Sequence, residues 1–206
     1  MMTSNYITIL DRELHYTEWG AGNAETIVMW HGLARTGRDF DDIAAALSGR
    51  YRVVCPDTLG RGLSQWSPRP EAEYRVSFYT RLAAVFVDAL GIRRMRWLGT
   101  SMGAMIGTAA AAGPLKGRIT HLVLNDMGPK IGDAALARIR AYAGSPAQFE
   151  RVSELEAYFR TIYKPYGFLT DEQWRRLTET SVRRLPDGKV TPHYDPKIVM
   201  MFDHEA

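Results

Sequence analysis

An α/β protein with a largely parallel sheet is predicted by three observations. Short continuous apolar runs recur between residues 26 and 125, as strands buried on both faces require. The stretches between them repeat apolar residues at helical spacing, and abrupt stops at Gly, Pro or Asp separate one kind of segment from the other. The 206 residues are 46% hydrophobic and 24% charged, the balance of a soluble globular chain of one domain with an appendage.

Tyr6 to Leu10 and Glu13 to Trp19 alternate around an Asp11-Arg12 turn and read as an antiparallel hairpin with one solvated face. Thr26 to Trp30 is the first run expected to be buried on both faces, ended by His31-Gly32. A short helix over Asp39 to Leu47 leads to a second buried strand, Tyr51 to Cys55, stopped by Pro56-Asp57. From Ser77 to Leu90 the residues Phe78, Leu82, Val85, Phe86, Ala89 and Leu90 mark a helix, with Ser77 as N-cap and Gly91 just past its end. Met95 to Leu98 is a strand, Met102 to Ala112 a helix and Ile119 to Leu124 a further strand. Beyond Met127-Gly128-Pro129 the buried strand-like runs vanish. Helical patterns follow over Asp133 to Tyr142, Ala147 to Tyr163 and Asp171 to Arg184, the last behind a Thr170/Gln173 capping box. The division expected is a sheet-containing core over residues 1–130 and a helical cap over 131–206.

Charge and cysteine content exclude several classes of function. The 26 Lys and Arg residues are interleaved with 23 Asp and Glu, for a net charge of +3, so no nucleic-acid partner is expected. The single cysteine, Cys55, allows no disulfide framework and no multi-cysteine zinc site. Met1 to Asn5 carry neither a basic start nor an apolar continuation, and no run of about 18 apolar residues occurs. A cytoplasmic location without a membrane partner is the expectation.

Gly99-Thr100-Ser101-Met102-Gly103 matches G-x-S-x-G between a predicted strand and a predicted helix, the context that gives the motif meaning. A serine on so tight a turn needs neighbours without side chains, and its Oγ stands at the helix N-terminus, where negative charge is favoured. A hydrolytic serine also needs two N–H donors for an oxyanion, here Met102 and, after Trp30-His31-Gly32, Leu33. His31 is expected to brace that loop rather than to titrate in catalysis. The Gly60-Arg61-Gly62 stretch lacks the third glycine and the position of a dinucleotide loop; Asp57 is expected to cap the turn and Arg61 to pair locally.

Together, His31-Gly32, the Asp57 to Ser64 loop, the Gly99 to Gly103 turn and Leu122 to Pro129 resemble the α/β-hydrolase superfamily over about the first 130 residues. The resemblance implies that residues 131–206 are a cap or lid and that Ser101 is the nucleophile. It points to esterases, lactonases or carbon–carbon bond hydrolases that need no cofactor or metal, acting on a small or medium acyl substrate. It also implies an acid and a histidine on core strands beyond the lid, whereas this chain ends at Asp203-His204-Glu205-Ala206, so a fragment of a longer protein is expected. Asp126 is the candidate acid within the chain, with a plain Asn125-Asp126 turn as the alternative. None of His15, His121, His193 or His204 is assigned as the base. Arg35 and Trp66 from loops, and Trp174 from the lid, are candidate substrate contacts; the alternative is that such aromatics pack lid against core. A sheet without its last strands leaves an apolar edge, which makes a homo-oligomer a further expectation. The rival to a serine hydrolase is a ligand-binding protein on the same scaffold without turnover.

Overall fold

The computed structural model describes residues 1–128 and 132–203, the side chains of 133–135 excepted. Six strands form one sheet: β1 (Met2–Ile9), β2 (Arg12–Trp19), β3 (Thr26–Trp30), β4 (Arg52–Pro56), β5 (Met95–Thr100) and β6 (Ile119–Asn125). Their order is β1-β2-β4-β3-β5-β6. β1 and β4 each run antiparallel to β2, while β4, β3, β5 and β6 are mutually parallel. The mostly parallel α/β architecture is the one expected.

β3 is buried at every position because both faces of the sheet are covered. Its side chains alternate between two cores. Val28 and Trp30 join Leu82, Phe86 and Ile106 on one side, and Ile27 and Met29 join Phe40, Ala44, Val53 and Cys55 on the other. α1 (Asp41–Leu47) covers the second side; a short α2 (Pro70–Glu73) leads into α3 (Val76–Ala89), which with α4 (Met102–Ala112) covers the first. At the centre the indoles of Trp30 and Trp97 stack, centroids 5.2 Å apart and planes within 10°.

Ser77 is not the cap of α3: the helix starts at Val76, and Arg75 holds the extended cap backbone without a side-chain bond. Burial of Val76 against the core, rather than a capping hydroxyl, sets the start. The other end is as expected. Gly91 N–H reaches Asp88 O at 3.0 Å and Ile92 N–H reaches Val87 O at 2.9 Å, the paired bonds of a Schellman motif.

The second part comprises α5 (Asp133–Ala143), α6 (Val152–Ile162), α7 (Asp171–Glu179) and a small antiparallel hairpin of β7 (Val182–Arg184) and β8 (Val190–Pro192). Leu155, Phe159, Tyr163, Trp174 and Val190 give it a core of its own. The Thr170/Gln173 capping box forms, with bonds of 3.2 and 2.9 Å. Two helices are shorter than expected and strands do occur. Residues before Val152 are held by a bridge between Phe149 and Val190, and the Pro186-Asp187-Gly188 turn folds Val182–Arg184 back onto β8. Ala143, Tyr194, Ile198 and Met201 pack into the main core and anchor this part to the sheet. The expected division near residue 130 falls outside the described residues, as does His204. No helix among the described residues is long and apolar enough to cross a membrane.

Candidate active site

Ser101 joins β5 to α4 with φ +50° and ψ −111°, a backbone region that costs a non-glycine residue about 1–3 kcal/mol. The glycines around it are obligatory for steric reasons. A Cβ on Gly99 would lie 2.2 Å from Gly103 O, and one on Gly103 2.0 Å from Trp30 O. Ser101 N–H donates to Asn125 O at 2.9 Å, which ties the turn to the end of β6, and its carbonyl accepts from Ala104 and Met105 at 2.9 and 3.1 Å to open α4. The serine therefore stands at the N-terminus of an eleven-residue helix, where unpaired N–H groups favour a developing anion.

Met102 is the first residue of that helix, so its N–H has no acceptor within it. Leu33 N–H likewise donates no bond among the described residues. The Leu33 loop passes beside the serine: a Cβ on Gly32 would sit 3.8 Å from Ser101 Cβ. The loop that carries Leu33 and the first turn of α4 that carries Met102 thus both lie beside Ser101.

His31 is the expected brace. Thr58 N–H donates to its Nε2 at 2.9 Å, so the proton is on Nδ1, which donates to Gly32 O at 2.6 Å. Complete burial is the main cause that pushes its pKa down to about 4. The unfolded chain, with an ordinary histidine, binds a proton in a range where the folded chain does not. Stability is therefore expected to fall as pH drops from about 6.5 to about 4, by about 3 kcal/mol from this group. Burial lowers His193 too and adds to the same slope. Urea unfolding of the parent and His31→Gln across this range tests it: the variant should show the flatter dependence, and equal slopes would contradict the assignment.

Asp57 does more than cap its turn. It is buried and accepts from Gly37 N–H at 2.7 Å, Leu63 N–H at 3.0 Å and His15 Nδ1 at 2.8 Å. Burial alone would raise its pKa, but the bond and charge from His15 hold the carboxyl below its usual value. Ser4 Oγ lies 2.8 Å from His15 Nε2, which completes a serine–histidine–aspartate chain that sequence reasoning missed. Ser4, however, lies in regular β1 backbone, without the strained turn and helix N-terminus that surround Ser101. The residues involved are distant in sequence, and only the β1–β2 and β2–β4 registers bring them together.

Arg35 is buried, paired through Nε (2.8 Å) and Nη2 to Asp39, and lies against the rings of Tyr163 and Phe159 at 5.2 and 5.9 Å. Desolvation opposes its charge, and Asp39 outweighs that, so its pKa is raised. Its Nη1 is buried without an acceptor among the described residues. Arg35 Cγ lies 4.0 Å from the Gly32 Cβ position, on the same side of the loop as Ser101. Trp66 and Trp174 are engaged by other partners. Trp66 is exposed under the guanidinium of Arg183, and Trp174 is buried in the separate core formed by the second part of the chain. For Trp174 packing wins because one face of the amphipathic α7 must be covered. Asp126 follows β6 with φ +52°, exposed, one residue beyond the Asn125 carbonyl that holds Ser101. Among the described residues no histidine is hydrogen-bonded to Ser101; His121 is exposed on β6 beside Thr120, and His193 lies in the loop after β8.

Residues 25–159 match the family model of the alpha/beta hydrolase fold, and the chain belongs to that family. It is 42% identical over 191 residues to the 3-hydroxybutyrate-oligomer hydrolase of Cupriavidus necator, an alignment that covers 91% of this chain and 64% of that protein. The chain thus spans just under two thirds of that relative's length. A putative hydrolase from Rickettsia typhi superposes with TM-score 0.89 at 31% identity, over 97% of this chain and 74% of that one. An alpha/beta hydrolase from Novosphingobium aromaticivorans superposes with TM-score 0.84, also at 31% identity, over 96% and 70%.

Proposed function

We propose that this chain carries the nucleophile and oxyanion hole of a serine hydrolase that cleaves esters of small or medium acyl groups. The observation that carries the proposal is the strained Ser101 between two sterically required glycines, with the Leu33 and Met102 N–H groups beside it. Ser101 Oγ attacks the ester carbonyl, the two N–H groups receive the oxyanion, and the alcohol leaves to give an acyl-serine that water hydrolyses. A histidine from outside the described residues takes and returns the proton, and Asp126, at the end of β6, is the acid within this chain.

Similarity to a 3-hydroxybutyrate-oligomer hydrolase makes short hydroxyalkanoate esters the first substrates to test. The complete gene product should hydrolyse 3-hydroxybutyrate oligomers or simple short-chain esters with kcat/KM of about 10⁴ M⁻¹s⁻¹ or more. A folded protein that turns over none of them would overturn the proposal. The second reading, a binding protein without turnover, is favoured by one observation: no described histidine touches Ser101.

A further inference from the structure

We infer that Arg61 is a positioning residue that sets the two halves of the oxyanion hole against each other and couples them to the cap. Its side chain is fully buried, and no carboxylate lies within ion-pair distance of it among the described residues. The fork is spent on neutral acceptors instead. Nε donates to Leu33 O at 2.8 Å, Nη1 to Leu59 O at 2.7 Å and Tyr79 Oη at 2.6 Å, and Nη2 points to Met102 Sδ at 3.4 Å. Tyr74 and Tyr79 lie against the guanidinium at 5.7 and 5.0 Å and fix its plane.

Leu33 and Met102 come from separate elements, the loop after β3 and the start of α4, yet one guanidinium holds both. Burying a cation without an acid is costly, and the five donors of a planar fork are what a brace onto four neutral acceptors requires. The backbone of the same loop faces the cap. Gly62 N–H donates to His193 O at 2.9 Å, Asp195 N–H to Gly60 O at 2.8 Å, and Tyr74 Oη to Asp195 Oδ2 at 2.8 Å. Residues 193–195 of the cap are thereby joined, through Arg61, to both oxyanion donors.

The inference rests on Ser101 as nucleophile and deepens that reading. Oxyanion donors act only within tenths of an ångström of their proper place, and a shift near 1 Å costs about 100-fold in rate. In the complete gene product, Arg61→Met is expected to lower kcat by about 30- to 100-fold per folded molecule, with KM changed less than about 3-fold. The rate at which a fluorophosphonate labels Ser101 should fall in parallel. Arg61→Lys keeps the charge but not the fork, and is expected to lose at least about 10-fold in kcat. A purely structural arginine would lower the melting temperature and leave kcat and labelling rate of the folded fraction unchanged, which would overturn the inference. Should Arg61→Met fail to fold, Met102→Leu removes only the sulfur acceptor at nearly constant volume. It is expected to lower kcat by about 3-fold at constant KM, and an unchanged kcat would overturn the inference. A parent protein that takes no phosphonate sinks the Ser101 reading and this one together, whereas a parent and an Arg61→Met variant labelled equally fast sink only the role of Arg61.

Discussion

Ser101→Ala is expected to reduce ester hydrolysis on the order of 10⁶-fold in kcat while the protein stays folded and KM changes little. The loss is large because the covalent route disappears, and what remains is binding plus the oxyanion hole acting on water. The fold should survive because the Ser101 hydroxyl makes no hydrogen bond among the described residues, and alanine meets the same positive φ that serine already tolerates. Progress curves at high enzyme concentration check the rate, and circular dichroism checks the fold. A variant with more than a tenth of parental activity would remove Ser101 from the chemistry.

Gly103→Ala is expected to cost about 3 kcal/mol or more of stability, from a single methyl group. That methyl would sit 2.0 Å from Trp30 O and 2.6 Å from Trp30 C, which are backbone atoms at the end of β3 and have no rotamer by which to escape. The helix must move off the sheet, and Gly103 O also accepts from Trp97 Nε1 at 3.0 Å, so the displacement reaches the stacked tryptophans. Gly49→Ala is the control, since a Cβ there meets nothing within 4 Å, and it should stay within about 0.5 kcal/mol of the parent. Denaturant unfolding of both variants decides the matter: equal losses would mean that close approach of α4 to β3 is not what fixes glycine at 103.

Much of this was legible because the physical requirement and the residue pattern coincide. A strand covered on both faces must read as a continuous apolar run, and Thr26–Trp30 does so. A serine held at a helix N-terminus on a tight turn needs small neighbours, and Gly99 and Gly103 each lie two positions from Ser101. Local signals failed where long-range contacts decide. Val182–Arg184 carries helix-compatible residues but becomes a strand because Pro186-Asp187-Gly188 turns it onto Val190–Pro192. Trp174 has the composition of a pocket residue, yet the face of α7 that it occupies is turned into the separate core of the second part, with Leu155, Phe159 and Tyr163. Arg61 does bond locally to Leu59 O, but its bonds to Leu33 and Met102, 28 and 41 positions away, and the His15–Asp57 bond, across 42, join elements whose pairing no local pattern encodes.

That second serine–histidine–aspartate chain makes the most direct test a sharp one. Intact mass of the complete gene product after reaction with a fluorophosphonate, followed by peptide mapping, reports which serine is activated. One adduct per molecule on the peptide that contains Ser101, absent from Ser101→Ala, is the predicted result. No adduct on a folded protein, or an adduct on Ser4 with Ser101 unmodified, would contradict the assignment of Ser101 as the nucleophile.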